Sequence, residues 1–84
     1  METIAVRVLK ALAELGPLDM SSIKRVLGIR PTTNIAWIIK KLEKYGLVEC
    51  GWLCKLTEKG KAALQYLDVC GDIGCLANKV NTQS

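Results

Sequence analysis

The 84-residue sequence contains no histidine, no phenylalanine and only two prolines. Without histidine, Ser–His and Cys–His catalytic arrangements lose their general base, and the usual zinc hydrolase sites lose a ligand. The sequence has no glycine-rich loop after a predicted strand, so nothing in it indicates a phosphate-binding site. Because phenylalanine is missing, the core must be built from Leu, Ile, Val and Ala. We therefore expect no enzymatic activity, no cofactor and no bound metal.

Long apolar runs and export signals are also lacking. No apolar run approaches the roughly 20 residues of a membrane-spanning helix, so we expect no membrane partner. The first residues do not combine a basic stretch, an apolar stretch and a small-residue cleavage site, which favours a cytoplasmic location. A chain of this length forms one small domain, and its limited core favours additional support from disulfides or dimerisation.

Apolar spacing and capping residues predict two helices in the first third of the chain. One helix covers residues 3–15, and a second runs from Asp19, its N-cap, to Leu27, where Gly28 ends it. Leu18, between them, is expected to form a single-residue strand. The predicted core-facing residues are Ile4, Val8, Leu9, Leu12, Leu15, Ile23, Val26 and Leu27.

The next segment predicts a third helix, a hairpin and a fourth helix. Residues 32–45 carry an apolar stripe at helical spacing, formed by Ile35, Ile38, Ile39 and Leu42. Gly46 provides the left-handed residue that commonly ends a helix. Residues 47–50 and 53–56 are predicted strands, and Thr57 is the expected N-cap of the helix over residues 58–67.

The strand register follows from the burial pattern. A three-residue loop, 51–53, pairs Cys50 with Cys54, Glu49 with Lys55 and Val48 with Leu56. This register places the apolar and cysteine side chains on one face, as a two-residue period requires. It also sets opposite charges across from each other.

This order of elements, with the stretches LEKYGLV and LTEKGKAAL, resembles the winged helix-turn-helix proteins of the MarR/ArsR type over residues 4–67. The resemblance implies an α+β, mostly helical fold with three helices, a short β-hairpin wing, a fourth helix and a C-terminal tail. We assign the domain to residues 1–68 and the tail, with room for a short dimerisation helix, to residues 69–84. The implied function is sequence-specific binding of double-stranded DNA by a small homodimeric transcriptional regulator. Its small size would suit an archaeal or archaeal-virus protein.

The positive charge is concentrated where such a protein meets DNA. The net charge is +4, but residues 20–46 alone carry +5, whereas residues 1–19 carry −1 and residues 47–84 are neutral. Clustered cations attract phosphates. The alternative is an ordinary solvated helix face.

The resemblance places the start of the third helix in the major groove. Thr32 or Thr33 is then the N-cap, and both are candidate DNA contacts, because a threonine methyl can meet the methyl group of thymine. Asn34 is the best base reader, because its amide can bind adenine through two hydrogen bonds. Arg30 can meet either a base or a phosphate. Trp37 either stacks on DNA or packs over the hairpin, and the second fate is favoured. The expected phosphate contacts are Lys40, Lys41 and Lys44, and Lys55 is the cation nearest the wing tip.

The four cysteines allow three states: local disulfides, free thiols or a zinc site. The pairs Cys50–Cys54 and Cys70–Cys75 are geometrically easiest, since a helix roughly 15 Å long separates Cys54 from Cys70 and disfavours zinc. Disulfides are rare in cytosol, although hyperthermophiles are an exception. A cysteine of the second pair could also link two subunits.

Two further expectations concern partners. The dimer surface is predicted from the second apolar face of helix 1 and from the tail, unless the tail covers the core of its own chain. The residues concerned are Ala5, Val6, Ala13, Val69, Ile73, Leu76 and Val80. The alternative function is a protein-interaction module, favoured by a wing without a basic tip and by Trp37 and Trp52 where they are exposed.

Overall fold

The computed structural model describes residues 3–67, 69–70 and 73–82. These residues form a mostly helical α+β fold with a two-stranded antiparallel sheet, as the sequence predicts. In chain order the elements are α1 (Ile4–Leu15), α2 (Met20–Leu27), α3 (Ala36–Lys44), β1 (Val48–Cys50), β2 (Cys54–Leu56), α4 (Glu58–Ala63), a 3-10 turn (Leu64–Tyr66) and α5 (Ile73–Thr82).

Side-chain caps fix where the helices begin. The predicted caps Asp19 and Thr57 are confirmed, since each side-chain oxygen accepts a bond of 3.0 Å from the backbone N–H three residues on. Hydrogen bonds from Ser22 lower the pKa of the Asp19 carboxyl below its usual range. Gly28 ends α2 in the left-handed conformation, with φ of 71°. Local chemistry therefore sets both ends of α2.

The hairpin has the predicted register, with Val48 opposite Leu56 and Cys50 opposite Cys54. Leu18 and Cys54 exchange two backbone hydrogen bonds of 3.0 and 2.7 Å, which confirms the predicted single-residue strand. Because the backbone of Cys54 faces Leu18, the Cys50–Cys54 pair is not hydrogen-bonded and its side chains lie close together. The hairpin is therefore anchored to the segment that leads into α2.

The tail covers the core of its own chain. Ile73, Leu76 and Val80 on α5 are buried in the same cluster as Ala5 and Val6 of α1. The prediction that these residues form a dimer surface is therefore wrong, because their apolar area is already removed from water within one chain.

Ala13 and Val69, the other two residues assigned to that surface, are exposed. Leu15 and Val26, which we expected in the core, also lie at the surface, each near the end of its helix. None of the helices in the described ranges is long and apolar enough to cross a membrane.

Candidate nucleic-acid interface

The exposed side of α3 carries one tryptophan, three lysines and one acidic residue, Glu43. Trp37, Lys40, Lys41 and Lys44 are spaced three and four residues apart and are all exposed, whereas the opposite side of the helix is buried. Within the described part of the chain, no carboxylate oxygen lies within 4.0 Å of any of the three lysine amines. Two of these lysines lie in the last turn, where the helix dipole favours cations. The face thus has a net positive charge, and among the described residues no ion pair neutralises its lysines.

α3 begins four residues later than the sequence predicts. A turn over residues 30–33, closed by a bond of 2.9 Å from the Thr33 N–H to the Arg30 carbonyl, occupies the start of the predicted helix. Pro31 is the second residue of this turn, where its fixed φ is favourable. The helix can begin only after the turn ends.

The expected N-cap, Thr32 or Thr33, is therefore wrong. Instead the Asn34 side-chain oxygen accepts a hydrogen bond of 2.9 Å from the Ala36 N–H, and Ile35 occupies the N-cap position without a side-chain bond. Asn34 is exposed, so its amide nitrogen still faces solvent. Its oxygen, however, already helps to start α3, which restricts how the amide can approach a base.

A second group of cations lies beside this turn. A groove of about 500 Å³ is lined by Ser21, Lys24 and Arg25 of α2 and by Ile29 and Pro31. The Lys24 amine donates a hydrogen bond of 3.1 Å to the Pro31 carbonyl. Lys24 and Arg25 contribute to the charge of residues 20–46 but are not among the predicted contact residues. Their position in the sequence, shortly before the turn that leads into α3, could have identified them as contact residues.

Arg7 joins α1 to the end of α2. Its guanidinium donates a hydrogen bond of 2.8 Å to the Leu27 carbonyl, one of the carbonyls left without a partner at the end of a helix. This bond fixes the end of α2, from which the turn to α3 departs. Arg7 is itself exposed, and through this bond it supports the turn on which the basic surface depends.

Trp37 does not pack over the hairpin, contrary to our expectation, and 65% of its surface is exposed. It borders a groove of about 460 Å³ between α3 and the beginnings of α1 and α5. The physical reason is its helical position, four residues before Lys41, which directs both side chains to the same side of α3. The other lining residues are Thr3, Ile4, Ala5, Ile38, Lys41, Tyr45, Ile73 and Gly74.

The hairpin tip is apolar. Trp52 is 98% exposed and Leu53 is 49% exposed, whereas Lys55, the nearest cation, is paired in register with Glu49. Lys55 thus lies in the sheet, whereas the other predicted contact residues lie on α3 or in the loop before it.

The cysteines form the two local disulfides, Cys50–Cys54 and Cys70–Cys75. The first closes the hairpin loop. The second joins Cys70, which precedes α5, to Cys75 in the first turn of α5. Both pairs join residues only four or five positions apart, so neither requires the tail to fold back along α4. No group of three or more potential metal ligands occurs among the described residues.

Comparisons with models of protein families, with curated proteins and with solved structures find no match to this chain. Function must therefore be inferred from the surface of the chain itself.

Proposed function

We propose that this chain is a winged helix-turn-helix protein that binds double-stranded DNA in a sequence-specific manner, as a small transcriptional regulator of the MarR/ArsR type. In this proposal α2 and α3 form the helix-turn-helix, α3 is the recognition helix, and the hairpin of β1 and β2 is the wing. Its role is binding, without a catalytic step.

The unpaired positive face of α3 is the observation that carries this proposal. Lys40, Lys41 and Lys44 project from one exposed face, and the α2 cations lie beside the turn that precedes it. A protein that neutralises phosphates releases counterions, which makes clustered and unpaired cations effective for DNA binding. A solvated face that serves only solubility does not require all the excess charge in two consecutive helices.

Different residues of this surface have different tasks. The lysines of α3 and the α2 cations contact phosphates, which position the protein without reading sequence. The Asn34 amide nitrogen and the exposed hydroxyls of Thr32 and Thr33 lie before the first turn of α3, where a recognition helix meets base edges. Sequence preference should therefore come from residues 30–37, and most of the affinity from the cations.

The alternative is a winged-helix module that binds another protein. The exposed Trp37 and its groove favour this alternative, since aromatic side chains are enriched in protein interfaces. The charge of the neighbouring lysines favours DNA. A substitution that removes charge and leaves Trp37 in place distinguishes the two functions.

The test compares Lys41→Ala with Lys79→Ala, an exposed lysine of α5 outside the basic region. Both changes remove one positive charge, so they alter net charge equally. We expect Lys41→Ala to weaken binding to all duplexes and to reduce the slope of log affinity against log salt by about one, and Lys79→Ala to do neither. Fluorescence anisotropy of a labelled duplex at rising salt measures both quantities. Equal behaviour of the two variants and the parent would leave α3 as a solvated face and favour the protein-binding function.

A further inference from the structure

Trp52 is the most exposed of the large apolar side chains at the surface, with 98% of its area open to water. Tryptophan is on average a highly buried residue, because its indole gains much from leaving water. Here the indole contributes almost nothing to the core. Its presence at the end of a hairpin therefore needs an explanation outside the fold.

The tip that carries Trp52 is restrained by a disulfide and by backbone hydrogen bonds. The Cys50–Cys54 disulfide closes the loop, and a hydrogen bond of 3.1 Å joins the Gly51 N–H to the Leu53 carbonyl. Cys54 is also anchored to Leu18 by two backbone bonds. A rigid loop loses little conformational entropy when it binds, so this construction suits a contact surface.

The size of the apolar tip limits its partner. Burying one aromatic side chain removes about 150–250 Å² from water, whereas a specific protein interface buries about 1,200–2,000 Å². One indole and part of Leu53 are therefore too small for a protein interface by themselves. A nucleobase needs only a single ring to stack upon.

The charge next to the tip also favours a nucleic acid. Lys55 and Lys61 line one groove beside β2, and no acidic residue lines it. Glu58 lies 3.8 Å from Lys61 and Glu49 lies opposite Lys55 in the sheet, but both carboxylates are exposed and neither lines this groove. Exposed pairs of this kind are weak. A positive groove thus lies between the end of α1, β2 and α4, at the base of the hairpin that carries the tip.

We propose that Trp52 is a base-stacking residue, which the disulfide-closed tip inserts at a base step of the duplex bound by α3. This inference rests on the proposed DNA-binding function. Apolar wedges between base steps partially unstack and kink DNA, and the bent duplex then contacts more of the protein. The tip would thus act by stacking and deformation, where a basic wing would act by charge.

The test uses Trp37→Phe, which leaves Trp52 as the sole tryptophan, since the chain has two. Because Trp37 lies on the proposed binding face, the duplex affinity of this variant is measured first by anisotropy. We expect its emission to be quenched on addition of duplex, with the midpoint given by anisotropy of the labelled duplex. In the parent chain, Trp52→Ala should weaken duplex binding by roughly 10-fold or more, and Trp52→Phe should restore most of the loss. Neither change should alter the salt slope, because stacking releases no counterions. Trp52→Ala should leave thermal stability unchanged, since the side chain is exposed.

The same experiment includes two probes of other partners. Duplex binding with unaltered Trp52 emission and unaltered Trp52→Ala affinity overturns the inference and leaves the proposed function standing. Absence of duplex binding by the parent overturns both. Quenching by single-stranded oligonucleotide without quenching by duplex overturns insertion into a duplex. A blue shift with anionic phospholipid vesicles, but no response to duplex, assigns the tip to a membrane surface and also overturns the inference.

Discussion

The side-chain oxygen of Asn34 helps to start α3, and the proposed function gives its exposed amide a second task, contact with DNA. We expect Asn34→Ala to lower the free energy of unfolding by about 1 kcal/mol, the usual effect of losing a cap, and also to weaken DNA binding. Asn34→Asp keeps an accepting oxygen but loses the amide donor and adds a negative charge. It should therefore retain stability and lose binding. Urea unfolding and duplex anisotropy measure the two effects, and an Asp variant that binds as the parent does would leave Asn34 as a cap only.

Gly60 is required by a close approach between α4 and the residue before β1. A Cβ at this position would lie 2.1 Å from the Leu47 carbonyl oxygen, which itself accepts a bond from the Thr57 N–H. In an open helix, Gly→Ala gains about 1 kcal/mol. Here we expect Gly60→Ala to destabilise the protein by about 1–3 kcal/mol or more, because backbone cannot move aside as a side chain can.

Gly51→Ala is the matched control for Gly60, since a Cβ at Gly51 meets nothing within 4 Å. Thermal unfolding of both variants distinguishes steric exclusion from a general effect of losing glycine. Equal stability of the two variants would show that α4 can move away from Leu47 at little cost in free energy.

At the scale of elements, the register of the hairpin could be predicted residue by residue, although each strand begins one residue later than predicted. The start of α3 could not be predicted. The hairpin has one register that buries its apolar face, and its cysteines, charges and glycine agree with that register. Before α3, in contrast, three adjacent residues, 32–34, can all cap a helix. The choice among them depends on the turn over residues 30–33, and thus on where Pro31 lies relative to the end of α2.

The exposed side chains of the candidate site were harder to predict for a related reason. A tryptophan on a helix usually packs against a neighbouring element, so Trp37 was assigned to the hairpin. Its actual surroundings include α5, whose position cannot be read from apolar spacing alone. The tail was ambiguous in the same way, since Ile73, Leu76 and Val80 would have the same spacing in a dimer interface and in a single core.

α5 is expected to be a structural part of the domain. Leu76 is completely buried in the common core, so Leu76→Ala should lower the free energy of unfolding by about 2–5 kcal/mol. This is a large part of the 5–15 kcal/mol of a typical domain. Lys79→Ala, on the exposed side of α5, should change it by less than about 0.5 kcal/mol. Chemical denaturation provides both values. A Leu76→Ala variant that is stable but sediments with a different number of subunits from the parent would restore the tail as a dimer interface.

At the scale of the whole molecule, the burial of apolar residues predicts the oligomeric state. The apolar area assigned to a dimer is buried within one chain, so we expect the free protein to sediment as a monomer of 9.2 kDa at micromolar concentration. A homodimer should then form on DNA, where two copies read half-sites about 34–36 Å apart. The chain extends 37 × 28 × 22 Å, so two copies placed along their shorter axes fit at that spacing without overlap. Their mutual contact would be small.

Sedimentation of the free protein, followed by titration onto duplexes selected from a random pool, tests this prediction. The selected sequences should show two-fold symmetry with half-sites centred about 10 bp apart, and they should take up two copies. A duplex carrying a single half-site should take up one copy with weaker affinity, because the second copy contributes only a marginal contact. If the free protein sediments as a dimer, an exposed apolar region, such as the groove beside Trp37, must join the subunits. That groove would then be unavailable to any other partner.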